Sequence, residues 1–180
     1  MSKAVIFFAD GFEECEGLLV VDLMRRGGLD ITTASITGTK TVRSSHKVSL
    51  EADALIEDVD FSDVDIIVLP GGMPGTTNLL ANEKVCALCR EFAENKKIAA
   101  VCAAPSVFGE LGLLEGKNAT VYPGFEGKLK GATPSYDGVT VDGNVITGRA
   151  LGSSIDFALE IIKALEGEEK ANSVAKQICY

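Results

Sequence analysis

Cys102 stands where a thiol could act as a nucleophile. It follows the apolar run 98–101 and precedes two alanines and Pro105. A nucleophile between a strand and a helix, flanked by small residues, is lifted above the sheet edge by a tight turn, as in the nucleophile elbow of hydrolases. The free N–H groups of the following helix would favour a thiolate. The alternative is a small buried cysteine that only packs in the core.

Two further segments carry groups that could assist this thiol. Segment 10–16 contains three glutamates after the first apolar run, and the dipole of a helix N-terminus would alone explain two of them. A glutamate that faces a pocket could instead have a raised pKa and donate a hydrogen bond to a thiolate. Segment 70–72 contains paired glycines, whose N–H groups can approach a ligand as an oxyanion hole requires. By itself, that segment is better explained as an ordinary turn after a strand.

Short apolar runs and helical patterns alternate along the chain and must position these segments. Continuous Val/Ile/Leu strands predict a sheet covered on both faces, and the alternation with helices predicts parallel βαβ units. We therefore predict one doubly wound α/β domain over residues 1–180, with a hairpin in 37–54. Sites in such sheets form beyond the carboxyl ends of the strands. The predicted strands are 4–9, 30–36, 65–69 and 98–102, and the predicted helices are 13–26, 82–95, a long helix capped by Ser153, and 168–178.

Composition excludes several classes of function. The formal charge is −9, from 26 acidic and 17 basic residues, so nucleic acid is not an expected partner. No apolar run approaches the ~18 residues of a membrane span. The first apolar run is too short for a secretory signal. We expect no membrane association and a cytoplasmic location.

The cysteines and the single histidine, His46, do not suggest a metal centre. Five cysteines at irregular spacing do not form a disulfide framework. Cys86 and Cys89 are the one close pair, and no second pair completes a zinc site. They share the apolar face of a predicted helix, away from the N-terminus that a redox pair would occupy, which indicates packing. We predict no metal and no organic cofactor.

Taken together, these segments resemble the ThiJ/PfpI superfamily, and within it the branch of the parkinsonism-associated protein deglycase and its bacterial relatives. The matching segments cover nearly the whole chain and are 10–16, 68–72, 99–105, 121–123 and 152–159. The resemblance implies a flavodoxin-like fold, with a mostly parallel sheet and helices on both faces. It also implies a homodimer.

The resemblance also implies roles for individual residues. Cys102 would be the nucleophile and oxidisable thiol, and Glu16 the protonated carboxyl bonded to its sulfur. The N–H groups of Gly72 and Ala103 would contact the substrate oxygen. The remaining candidate pocket residues are Gly71, Tyr122, His46 and Arg26. The family arginine that matches Arg26 reaches the partner subunit's site. For His46, a solvated hairpin residue is the favoured interpretation.

Two positions depart from the family pattern. Many members have histidine where this chain has Tyr122, and tyrosine is not a base near neutral pH. Protease-like members have histidine where this chain has Ala103, so peptidase activity is not expected. The implied activity is conversion of methylglyoxal, a small α-oxoaldehyde, or deglycation of its adducts, in defence against carbonyl and oxidative stress. The alternatives are a redox sensor or redox-regulated chaperone that uses oxidation of Cys102, and a structural homodimer with vestigial chemistry.

Overall fold

Strands and helices alternate through the chain, as the sequence pattern predicts. The computed structural model describes residues 1–180. The strands are β1 (Lys3–Phe8), β2 (Asp30–Ser35), β3 (Thr41–Arg43), β4 (Ser49–Glu51), β5 (Ala54–Leu55), β6 (Ile66–Leu69), β7 (Lys97–Val101), β8 (Asn118–Ala119), β9 (Thr133–Pro134), β10 (Val139–Asp142) and β11 (Val145–Gly148). The helices are α1 (Glu14–Arg26), α2 (Gly75–Ala81), α3 (Glu83–Asn95), α4 (Pro105–Glu110), α5 (Ser154–Glu166) and α6 (Glu168–Gln177). No helix combines the length and the apolar character needed to cross a bilayer.

Seven of the strands form one sheet in the order β10-β11-β7-β6-β1-β2-β5. Neighbouring strands are parallel except for β10 and β11, which are antiparallel. The chain passes from β1 to β2 on one side and later returns to β6 on the other. The strand order therefore reverses between β1 and β6, where doubly wound sheets form their sites. The predicted hairpin in 37–54 is the antiparallel pair β3–β4.

Both faces of the sheet are covered by helices, as predicted. Helices α1, α5 and α6 pack on one face, and α2, α3 and α4 pack on the other. Strand β1 shows why its sequence is continuously apolar, because Val5 and Phe7 belong to one core and Ile6 and Phe8 to the other. A strand buried on both faces favours apolar side chains along its whole length.

Two element boundaries and one helix cap differ from the predictions. Strand β7 ends at Val101, so Cys102 lies just beyond the strand. Glu13 is not in α1 but caps it, because its carboxylate accepts a hydrogen bond from the Glu16 N–H at 2.7 Å. Ser153 precedes α5 as predicted, yet its side chain makes no capping bond. A 3₁₀ turn leads into α5 and leaves Ser153 at φ −104° and ψ 6°, whereas side-chain capping requires an extended backbone.

Candidate active site

The three loops expected to carry chemistry meet at the carboxyl edge of the sheet. Glu16 lies in the first turn of α1, after β1, while Gly71 and Gly72 follow β6 and Cys102 follows β7. Strand β6 pairs with β1 on one side and with β7 on the other. The glycines therefore lie between the glutamate and the cysteine.

Cys102 has a left-handed backbone conformation, with φ of 63°, which is strained for a residue other than glycine. Hydrogen bonds hold it there. Its N–H donates to the carbonyl of Gly148 at 2.9 Å, and its carbonyl accepts from the N–H of Tyr122 at 2.8 Å. The side chain is half-buried. This is the tight strand-to-helix turn that the sequence predicts.

Glu16 is the buried partner of this cysteine. It is 1% exposed, and its Oε2 accepts a hydrogen bond from the Gly71 N–H at 3.0 Å. Its carboxyl group also adjoins the Cys102 side chain, which lowers the pKa of Glu16. A Cβ added to Gly71 would lie 2.5 Å from the Glu16 Oε2 and 2.6 Å from the Cys102 Cβ. Only glycine leaves room for the two side chains to meet.

Gly72 supplies a backbone donor that a larger residue would displace. Its φ is 93°, and a Cβ on it would lie 2.6 Å from the backbone of Phe12 and closer still to that of Glu13. The N–H groups of Gly72 and Ala103 are near the Cys102 sulfur and lower the pKa of its thiol. Two backbone donors therefore converge where negative charge would develop on sulfur or on a substrate oxygen.

Burial raises the pKa of both side chains of the pair. Desolvation raises the pKa of Glu16 from 4.5 to about 7, although hydrogen bonds from Cys102 and Gly71 oppose the shift. Desolvation also raises the pKa of the Cys102 thiol from 9.0 to about 12, and the charge of ionised Glu16 adds to the shift. The N–H groups of Ala103 and Gly72 lower the pKa of this thiol.

The expected low-pKa thiolate therefore needs correction. The N-terminus of helix α4 was expected to favour the thiolate through its dipole, but α4 has only six residues. Burial is the largest influence on the pKa of Cys102. A proton on Glu16 removes the repulsion that opposes a thiolate. The two groups titrate as a coupled pair, and the thiolate is favoured when Glu16 is neutral.

Comparisons with known proteins identify the family of the chain. The model of the DJ-1/PfpI family matches residues 2–164. The chain belongs to the DJ-1/PfpI family. Protein DJ-1 homolog B of Arabidopsis thaliana is 38% identical over 97% of the chain, which covers 40% of that protein. The chain thus spans less than half the length of the plant relatives it matches.

Other relatives match over almost their full length. Protein dj-1beta of Drosophila melanogaster is 37% identical over 98% of the chain and 96% of its own length. The Caenorhabditis elegans protein named glutathione-independent glyoxalase DJR-1.2 is 30% identical over 99% of the chain and 96% of its own length. These relatives do not assign the chain to a bacterial branch.

Solved structures confirm the predicted flavodoxin-like α/β fold. Oxidized DJ-1 of Toxoplasma gondii superposes with a TM-score of 0.96 at 34% identity, over 100% of this chain and 99% of that one. A mutant of a DJ-1 superfamily protein from Salmonella typhimurium superposes with a TM-score of 0.94 at 32% identity, with the same coverage.

Tyr122 stands where many DJ-1/PfpI proteins have histidine. It contacts the turn around Cys102 through its backbone. Its N–H donates to the Cys102 carbonyl. The residue is 46% exposed to solvent. The ring packs edge-on against Phe125, with centroids 6.3 Å apart. Tyr122 therefore holds the turn around Cys102.

The structure of one chain does not bring His46 or Arg26 to Cys102. His46 Nδ1 lies 3.2 Å from the Glu14 carboxylate, and its side chain is 71% exposed. Arg26 forms an exposed ion pair with Asp22 at 2.6 Å. It lies ten residues after Glu16 on α1, which places the two about 15 Å apart along the helix.

Sequence reasoning missed residues that hold the site in place. The buried Ser106 hydroxyl donates to the Ala103 carbonyl at 2.6 Å, which fixes the turn after Cys102. The N–H of Glu13 donates to the Gly71 carbonyl at 2.8 Å and ties the cap of α1 to the glycine loop. The serine directly after Pro105 was a readable signal, because serine often bonds local backbone. The pairing of Glu13 with Gly71 joins distant segments and leaves no such signal.

Cys86 and Cys89 are buried on α3, as the packing interpretation predicts. Cys86 lies in the first turn of α3 and not in its middle, so its position differs from the expectation. Burial nevertheless raises the pKa of both thiols, which disfavours the reactive thiolate. The four surface cavities are lined by neither Cys102 nor Glu16.

Proposed function

We propose that the protein is a cysteine-dependent glyoxalase/deglycase-type enzyme that acts on methylglyoxal, or on its adducts, in defence against carbonyl and oxidative stress. The observation that carries the proposal is the contact between the Cys102 thiol and the buried Glu16 carboxyl, whose pKa is raised to about 7. The relative named glutathione-independent glyoxalase supports it. The implied substrate is a small α-oxoaldehyde.

In the first step, the Cys102 sulfur attacks the aldehyde carbon of methylglyoxal. A C–S bond forms, the carbonyl π bond breaks, and the thiol proton passes through Glu16 to the aldehyde oxygen. The product is a hemithioacetal. The N–H groups of Gly72 and Ala103 lie at the sulfur, close enough to stabilise charge on the adjacent oxygen.

In the second step, ionised Glu16 removes the proton from the former aldehyde carbon and returns it to the neighbouring ketone carbon, while the hydroxyl proton of the hemithioacetal moves to the ketone oxygen. The first carbon is oxidised to a thioester and the second is reduced to an alcohol, so no external oxidant is needed. Water then cleaves the thioester, releasing lactate and restoring the thiol. A pKa near 7 suits Glu16 for this role, because the group can both take and give a proton at neutral pH.

Methylglyoxal turnover tests the proposal. We expect purified protein to form lactate with saturable kinetics, and Cys102→Ser to lower kcat/KM by about 10³-fold or more, because the alcohol is a far weaker nucleophile than the thiolate. Cys179→Ser is the matched control, since Cys179 is an exposed thiol near the chain end. Equal lactate formation by the parent and Cys102→Ser would overturn the proposal.

A second candidate function is redox sensing or redox-regulated chaperone activity through Cys102. The solved DJ-1 of Toxoplasma gondii, whose fold this chain shares, is described as oxidized. In this chain a neutral Glu16 and the N–H groups of Gly72 and Ala103 could hold the oxygens of a sulfinic acid. Two equivalents of peroxide would supply those two oxygens and leave as water.

Peroxide titration with mass spectrometry tests this second function. We expect two oxygen atoms to appear on Cys102 before any appear on Cys15 or Cys179, although both of these are more exposed. Glu16→Gln should slow the uptake at Cys102. Equal uptake at all exposed thiols would contradict a dedicated sensor.

The proposed setting is a homodimer in the cytoplasm. The five cysteines are all free, as in a reducing compartment. The homodimer is what the sequence resemblance implies.

A further inference from the structure

Glu13 occupies an unusual position for a glutamate, directly before the first turn of α1. Its backbone is extended, with φ of −84° and ψ of 114°, and its side chain caps the helix by accepting from the Glu16 N–H at 2.7 Å. Serine, threonine, aspartate and asparagine are the side chains that usually make this bond. Capping alone therefore does not require a glutamate here.

Three hydrogen bonds connect Glu13, Gly71 and Glu16 in a closed ring. The Glu13 N–H donates to the Gly71 carbonyl at 2.8 Å, and the Gly71 N–H donates to Glu16 Oε2 at 3.0 Å. The Glu16 N–H donates back to Glu13 Oε2. Each member is therefore held by the other two, and the Glu16 carboxyl is kept where it adjoins the Cys102 side chain.

The charge of Glu13 acts on Glu16 in the same direction as burial. Two negative charges in one helical turn repel each other, so Glu13 disfavours ionisation of Glu16. This repulsion adds to desolvation in raising the pKa of Glu16, and Cys102, after β7, is the other titratable group that acts on it. His46, in the β3–β4 turn, lies 3.7 Å from the opposite oxygen of Glu13.

We propose that Glu13 is a positioning residue of the Cys102 site, which holds the Glu16 carboxyl against Gly71 and beside Cys102 through this ring. Its negative charge also favours the protonated form of Glu16, in which the carboxyl does not repel a thiolate. A glutamate suits both tasks, because one oxygen caps the helix while the group keeps its charge. Glu13 acts through Glu16 and not on a substrate.

Titration of Glu16 by carboxyl-carbon NMR tests the proposal, with the Glu16 signal identified by its absence from Glu16→Gln. We expect a pKa of about 7 in the parent. Glu13→Gln keeps an oxygen for the Glu16 N–H but removes the charge, and should lower the Glu16 pKa by about 0.3–1 pH unit. Glu13→Ala also removes the capping oxygen, which frees Glu16 to reach water, and should lower its pKa further toward 4.5.

Two matched variants separate this effect from general destabilisation. Asn82 caps α3, where its side chain accepts from the Val85 N–H at 3.0 Å, so Asn82→Ala removes the same kind of bond from another helix. Glu168→Gln removes a glutamate from the first turn of α6. Both variants should keep the Glu16 pKa of the parent, while Asn82→Ala should lower the unfolding midpoint as Glu13→Ala does.

An unchanged Glu16 pKa in Glu13→Ala would overturn the positioning role, and an unchanged pKa in Glu13→Gln would overturn the effect of charge. A decrease in Asn82→Ala as large as that in Glu13→Ala would also contradict the proposal, because the pKa would then follow overall stability. The titration uses no substrate. Its result therefore stands apart from the glyoxalase/deglycase proposal, which fails or holds on lactate formation alone.

Discussion

Glu16→Gln is expected to lower the kcat of lactate formation from methylglyoxal by about 10²–10⁴-fold, the usual contribution of a positioned acid or base. Glutamine keeps the size of the side chain and an oxygen that can accept the Gly71 N–H, now bonded at 3.0 Å. It cannot take a proton from carbon. The measurement is steady-state lactate formation near neutral pH, where the acid and base forms of Glu16 are both present.

The pH profile separates a proton-transfer role from a merely structural one. In the parent, kcat should rise as pH passes through about 7, because ionised Glu16 is the base that acts on the hemithioacetal. The residual activity of Glu16→Gln should lack this rise. Glu168→Gln should keep the parent profile. A Glu16→Gln enzyme with the turnover and profile of the parent would contradict the assigned role.

The stability of the parent is expected to fall by up to about 3 kcal/mol as pH rises from about 4.5 through about 7. Glu16 has an ordinary pKa of 4.5 in the unfolded chain and a pKa of about 7 in the folded protein. The folded state therefore binds the proton more tightly than the unfolded state. The resulting stability is fully present below pH 4.5 and is lost as pH rises through about 7.

Denaturant unfolding at a series of pH values measures this effect. Other groups also titrate in this range, so the informative quantity is the difference between the parent and Glu16→Gln at each pH. Glu16→Gln should gain stability relative to the parent as pH rises, because it has no charge to bury. A difference that stays constant across the range would show that the folded-state pKa of Glu16 is not raised.

The sequence was sufficient where local chemistry determines the structure. The continuous apolar runs predicted a sheet buried on both faces, and β1 feeds both cores. The cysteine flanked by alanines predicted a tight turn, and Cys102 has φ of 63°. The loops that carry Glu16 and Gly71 were placed beside Cys102 because carboxyl ends of parallel strands share one edge.

The sequence was insufficient where tertiary contacts decide. Helix α2 occupies Gly75–Ala81, although proline and glycine at its start favour a loop. The raised pKa of Cys102 depends on burial and on the charge of Glu16, neither of which has a local signature. The contact between His46 and Glu14 joins residues 32 positions apart. Such pairs become visible only once the fold places the β3–β4 turn against α1.

Trapping of the covalent intermediate tests the central claim, that Cys102 is the nucleophile, most directly. Protein mixed with isotope-labelled methylglyoxal is quenched in acid at successive times and mapped by mass spectrometry. We expect the label to appear on the peptide that contains Cys102, and to decay at the rate at which labelled lactate is released. Lactate release without label on Cys102, or label that accumulates there without decay, would contradict the proposed mechanism.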